Sequence, residues 1–295
     1  MTKQHRTKLT ARHLIVPAVM AAGVLASPAI SFADTSPITC GVVTSDVRLR
    51  ADLLDCAGPG LVVGASGVTI DLAGHVIDGT GSATGIDNEG GHDDLRITGG
   101  TVRGFRFGVE LFETSGARLD RLIVESNLIG VVAGRSSDIE LDRVTVDANV
   151  SSGIDITFSD GVAVRRSSAV GNGFAGVVVR FSDGTVLERN TATGNDSSGL
   201  TVDGSTGVRA ERNHTHANGF NGIEVVNTED AVIDRNEAGG NVEHGISIDR
   251  PGNVVSRNRT FDNEGFGISA PDGTIDGRGN QATGNLAGDC TGVAC

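Results

Sequence analysis

A glycine followed by an apolar residue returns along this chain at an almost constant interval: Gly85-Ile86, Gly108-Val109, Gly130-Val131, Gly153-Ile154, Gly176-Val177, Gly199-Leu200, Gly222-Ile223, Gly245-Ile246 and Gly267-Ile268. Successive glycines lie 22 or 23 residues apart, and a looser turn begins upstream at Gly60-Leu61. An asparagine column keeps the same step through Asn127, Asn149, Asn172, Asn195, Asn218, Asn241, Asn263 and Asn285. A third column runs through Ser167, Asn190, Asn213, Asn236, Asn258 and Asn280. Three columns with one period make the chain a repeat, and the repeat decides the architecture before any single residue does.

Segments such as Gly153-Ile-Asp-Ile-Thr157 and Gly161-Val-Ala-Val-Arg165 alternate apolar and polar residues. That is the two-residue period of a strand, not the 3.6-residue period of a helix. Three short strands with Gly, Asn, Asp and Ser turns between them fill one repeat. The leucine/asparagine consensus of a leucine-rich repeat is missing. The remaining solution is an all-β parallel solenoid of about ten coils, stacked at roughly 4.8 Å. Its core is expected from Ile154 and Ile156, Val177 and Val179, Leu200 and Val202, Ile223 and Val225, and Ile246 and Ile248. A second strand adds Leu141, Val164, Leu187, Ala210, Ile233 and Val255. The asparagines belong in the turns, where each amide can satisfy buried polar groups of the coils above and below.

The ends read differently. Lys3, Arg6, Lys8 and Arg12 precede an apolar stretch over 14–26, and Ser31-Phe32-Ala33 offers the small residues of a cleavage site. Residues 1–33 therefore read as a secretory signal peptide cut before Asp34, with an uncleaved anchor as the alternative. No later segment is long and apolar enough to span a membrane. Residues 34–60 are expected to cap the coil, 61–285 to form it and 286–295 to close it. Four cysteines sit at the two ends, and an exported chain permits disulfides. A solenoid holds the two ends tens of ångströms apart, beyond the roughly 7 Å reach of a bridge. That leaves Cys40–Cys56 and Cys290–Cys295.

The chain has 24 Lys+Arg against 37 Asp+Glu, a net charge of −13. Residues 1–33 hold four of the bases and none of the acids, so the mature chain stands at −17. This acidity argues against nucleic acid or anionic membrane as the main partner. Both lysines and both methionines precede Asp34, and Trp and Tyr are absent. Mature-chain chemistry that needs Lys, Tyr or a Met-rich copper site is excluded.

The Gly-[Ile/Val]-x-[Ile/Val] strands, the asparagine turns and the opening Val68-Thr-Ile-Asp-Leu-Ala-Gly-His-Val-Ile-Asp-Gly79 resemble the right-handed β-helix repeats of the pectin-lyase-like superfamily. The resemblance covers roughly residues 60–285 and comes nearest to NosD-like periplasmic proteins and to carbohydrate-binding or sugar-hydrolase β-helices. It implies a right-handed, single-stranded parallel β-helix. It also implies that a substrate would lie along one outward-facing sheet.

By alternation, Asp155, Arg180, Asp203, Glu224 and Asp249 face outward and form a mixed-charge strip. Carboxylates on neighbouring coils would stand about 5 Å apart, close enough to shift one another's pKa, share Ca²⁺ or work on an acidic sugar. The alternative is a solvated acidic face. The catalytic patterns of the superfamily are incomplete. Asn227-Thr-Glu-Asp230 and His244-Gly245 only partly match a polygalacturonase, whose Arg-x-Lys element needs a lysine. Asp249-Arg250-Pro251 matches the Asp-Pro-His-Arg of an alginate epimerase in composition alone.

His214-Thr-His216 places two rings on one face with Glu237 a coil away, a candidate metal site if a third ligand joins. Arg121, Arg143, Arg166, Arg189, Arg212, Arg235 and Arg257 form one more column, preceded by Asp120, Asp142, Glu188, Glu211 and Asp234. Arg189, Arg212 and Arg235 are thus candidates for tracking a polyanionic glycan, or else members of a salt-bridge lattice.

These features support an exported protein that binds or modifies an acidic extracellular polysaccharide, with no cofactor required and Ca²⁺ as an ion the strip could take. If catalytic, it would be a lyase, epimerase or glycoside hydrolase. A structural or adhesive rod is the alternative, and a metal-handling protein the third reading. Near-constant intervals leave no room for the long loops that wall a deep active site.

Overall fold

The computed structural model describes residues 38–295; the expected signal peptide lies outside the described residues. These residues wind as a right-handed parallel β-solenoid of about eleven turns, with no helix among them. Sheet 1 contains twelve parallel strands, from Gly41–Val43 through Ile154–Thr157 to Gly288–Thr291. Sheets 2 and 3 carry the other strands of each coil, and Arg96–Arg103 and Arg118–Glu125 run through both.

Each coil hydrogen-bonds only to its two neighbours, in register. Ile154 faces Val177, Val177 faces Leu200, and Leu200 faces Ile223. These side chains are buried, as are Leu141, Val164, Leu187, Ala210, Ile233 and Val255 from sheet 2, so one apolar column fills the solenoid. Both terminal segments join it as strands. Gly41–Val43 pairs with Leu61–Val63, and Gly288–Thr291 pairs with Phe266–Ser269. The caps are thus turns of the coil itself, stapled by disulfides Cys40–Cys56 and Cys290–Cys295 with Cα atoms 5.9 and 6.1 Å apart.

Three columns of corners share one pattern. A residue with φ near +50° turns the chain, and the next residue points a polar side chain inward. Arg189 (φ 55°) precedes Asn190, Gly194 (φ 65°) precedes Asn195, and Phe158 (φ 52°) precedes Ser159. At the corner leading into sheet 1, Asn195 Nδ2 donates to Asn218 Oδ1 at 3.0 Å and to the Ala169 carbonyl at 3.1 Å. Its own Oδ1 accepts from the backbone N–H and the Nδ2 of Asn172. The column from Asn190 to Asn280 repeats this at the next corner. A further ladder, Thr114, Ser136, Ser159, Ser182 and Ser205, lines the corner between sheets 1 and 2 through Oγ acceptors. Close coil approach also explains the glycine column. A Cβ at Gly176 would lie 2.6 Å from the Gly199 carbonyl oxygen.

Candidate functional site

On sheet 1 the outward residues fall into two columns, not one. Asp155, Val178, Thr201 and Glu224 share the first; Thr157, Arg180 and Asp203 share the second. The carboxylates of the strip therefore do not stack on one another. Arg180 Nη1 reaches diagonally to Asp155 Oδ2 at 3.3 Å, and the Thr157 hydroxyl donates to Asp155 Oδ1 at 2.9 Å. Glu224 Oε2 accepts from the Ser198 and Thr201 hydroxyls. Asp203 accepts from the Asn227 amide, and Asp249 from the Asn227 backbone N–H. At the adjoining corner the exposed Phe158 and Phe181 rings stack at 5.1 Å.

A further carboxylate on this sheet has the same outward position as Asp155. Glu110, registered beside Asp87, is half-buried. Burial pushes its pKa up, a hydrogen bond donated by the Thr84 hydroxyl at 3.1 Å opposes the rise, and the Asp87 charge adds to it. The alternation that found Asp155 finds Glu110 as well, but its environment depends on neighbours 23 and 26 residues away.

Sheet 2 and the corner that follows it hold the arginine column as a lattice. Arg143 pairs with Asp142 of its own coil and with Asp120 of the coil before. Arg212 bridges Glu211 and Glu188, and Asp234 takes both Arg235 and Arg257. Arg189 pairs with Glu188. The three arginines expected to track a glycan are thus already engaged by carboxylates. Asp142 and Asp234 sit below the usual carboxylate range: for Asp142 the Arg166 contact is the main cause, with burial opposing. For Asp234, burial raises the pKa, and the bonds from Ser256 and Arg257 together outweigh it.

The lattice changes at its N-terminal end. A hollow of about 290 Å³ is lined by Arg96, Arg118, Arg121 and Arg143 with Asp120, Glu140 and Asp142. Arg96 and Arg118 are registered neighbours on adjacent coils. Arg118 pairs with Glu140, whereas Arg96 makes no ion pair among the described residues. Sequence reasoning missed this place because Arg96 and Arg118 fall outside the arginine column.

On sheet 3, strand His214–His216 projects both imidazoles outward, with ring centroids 6.2 Å apart. Glu237, registered with His214, brings Oε1 to 3.9 Å from His214 Nδ1 and 3.4 Å from His216 Nε2. Burial holds the His216 imidazole below the ordinary histidine range, against the opposing pull of Glu237. Among the described residues, this is the one group in which three His, Cys, Asp or Glu donors converge. No helix of the described residues is long and apolar enough to cross a membrane.

The sequence matches the family described as "Right handed beta helix region" over residues 175–294, and the family described as "Periplasmic copper-binding protein (NosD)" over residues 66–221. Comparison with curated proteins gives no match. Among solved structures, the chain is similar to the mannuronan C-5 epimerase AlgE4 A-module of Azotobacter vinelandii. That likeness has a TM-score of 0.50 at 16% identity and covers 88% of this chain and 89% of the other. Pectate lyase Pel9A gives a TM-score of 0.52 at 14% identity, covering 76% and 72%. The periplasmic alginate epimerase AlgG gives 0.53 at 14%, covering 83% of this chain and 65% of that one. At such identities the likeness shows the fold.

Proposed function

The chain belongs to the NosD family of β-helix proteins, and from that scaffold we propose an exported protein that binds an acidic polysaccharide on its outer surface. The observation that carries this reading is the hollow on sheet 2, where four guanidinium groups meet three carboxylates. On a chain of net charge −13 the hollow keeps one positive charge in excess, carried by Arg96, while its other three arginines are paired. Guanidinium forks pair with sugar carboxylates in two-pronged fashion, and Arg96 is available for it. The hollow is open, which suits a segment of polymer passing across it rather than an enclosed small molecule. Arg180, with the exposed Phe158–Phe181 stack beside it, offers a second contact on sheet 1. The polysaccharide-acting names among the structural neighbours agree with this reading.

Binding fits this geometry better than catalysis. Each of the strip's carboxylates is held by a neighbouring side chain or backbone N–H, and none is registered against another on the adjacent coil. The family's description names copper. A soft site of methionine or thiolate finds no donors here, since Met1 and Met20 precede the described residues and all four cysteines are in disulfides.

The test is proton NMR of the purified protein with alginate, polygalacturonate and neutral dextran, with and without Ca²⁺. Broadening with the acidic polymers alone, without new sugar signals, is the expected outcome. Arg96→Ala and Arg118→Ala each weaken it about tenfold, the worth of one charge-assisted contact, while Asp203→Ala leaves it unchanged. New sugar signals lost in Asp203→Ala would make the protein an enzyme working at the strip. Silence across the panel would remove the polysaccharide reading.

A further inference from the structure

The cluster on sheet 3 combines ligand chemistry with a built support, and it lies apart from the surfaces assigned to polysaccharide. We propose that His214, His216 and Glu237 bind one divalent transition-metal ion of the Cu²⁺ or Zn²⁺ type. The three donor atoms all lie within 4.8 Å of one another. Ligands at 2.0–2.1 Å from a tetrahedral ion stand about 3.3 Å apart, so the 3.4 and 3.9 Å separations need only small side-chain rotations to close on an ion. Two imidazole nitrogens and one carboxylate oxygen suit Cu²⁺ and Zn²⁺ and disfavour Ca²⁺, which takes six or more oxygens.

The support extends over the next two coils. Arg259 is registered with Glu237, and its Nη1 donates to Glu237 Oε2 at 3.2 Å. That contact leaves Oε1 directed at the histidines. The same guanidinium lies 4.6 Å over the Phe261 ring, and that ring stands 5.6 Å from the ring of His216. Phe261 reaches His216 across an intervening coil because the residue between them is Gly239. A Cβ at Gly239 would lie 2.5 Å from the Phe261 ring. One face of the site is therefore walled by an aromatic ring and its carboxylate is oriented by an arginine, the kind of outer shell that ligands of bound metals have. With three protein ligands on an open sheet, the remaining coordination positions fall to water or to a partner's donor. This arrangement suits capture and release of an ion.

The proposal does not rest on the polysaccharide reading, and its test uses the metal alone. The purified protein is titrated with CuSO₄ and separately with ZnSO₄ by calorimetry, and the copper sample is examined by electron paramagnetic resonance. One ion per chain is expected, with nitrogen superhyperfine structure in the copper spectrum. His216→Ala and Glu237→Gln each lower affinity by about tenfold or more, and Arg259→Gln, which leaves every ligand in place, by about tenfold. Two results overturn the proposal. One is absence of binding at millimolar ion. The other is unchanged binding in a His214→Ala/His216→Ala double variant whose circular dichroism matches the parent.

Discussion

The asparagine corner that leads into sheet 1 and the arginine column that follows sheet 2 repeat with the same step, yet they hold the solenoid in different ways. From Asn127 to Asn263 the asparagines are at most 1% exposed. Each amide donates to the amide one coil on and to a carbonyl one coil back. The arginines turn the chain with φ near +50° while their side chains stay between 40% and 63% exposed. Water and salt compete for every arginine pair, and nothing competes for the buried amides. A column's regularity therefore says little about its energy; burial decides that.

The sharpest break in the comparison is Asn195→Ala. It leaves the Asn172 backbone N–H and the Ala169 carbonyl without their side-chain partner in a dry corner. At about 1–3 kcal/mol for each buried group left unpaired, the variant loses on the order of 4 kcal/mol. Each coil touches only its neighbours, so the damage opens the middle of the rod rather than an end. A urea titration followed by circular dichroism reads the loss, since the chain has no Trp or Tyr for fluorescence. A midpoint shift below that of a surface substitution would refute the ranking.

Much of this was legible in advance because a solenoid writes its contacts into its period. The residue stacked on Ile154 is the one 23 positions later, so fold, core and both asparagine ladders followed from spacing. The Ser136–Ser159–Ser182–Ser205 ladder carried the same signal and went unread, since serine is common in exposed turns. The outer faces were less legible. Alternation says that Asp155 and Asp203 both point outward, but only the registered backbone shows that they occupy different columns. The support of His216 was out of reach for a similar reason. It depends on Gly239 having no side chain, and a glycine in a glycine-rich chain draws no attention.

Within the arginine column, Asp234 lies closest to the buried regime, with its side chain 5% exposed. It accepts from the Ser256 hydroxyl at 2.6 Å, Arg257 Nε at 2.7 Å and Arg235 Nη1 at 2.8 Å. Its folded pKa is held below the unfolded value, so its stabilisation is present above about pH 4 and is lost as pH falls through the folded pKa. Asp234→Asn is expected to cost about 1–3 kcal/mol at neutral pH. It should also flatten the acid limb of stability against pH. An unchanged acid limb would place Asp234 with the solvated pairs.

The smallest effect belongs to Arg189→Ala. The guanidinium is 55% exposed and stands 3.7 Å from Glu188, a single pair in water. Such pairs contribute about 0.2–1 kcal/mol, so the urea midpoint should move little in dilute buffer. The shift should shrink further in about 0.5 M NaCl, where screening reaches only a few ångströms. Arg212 still reaches back to Glu188 after the substitution, which keeps that carboxylate paired. A loss rivalling that of Asn195→Ala, or one insensitive to salt, would mean that the lattice acts as a cooperative unit. The difference between the buried and exposed columns would then be one of degree.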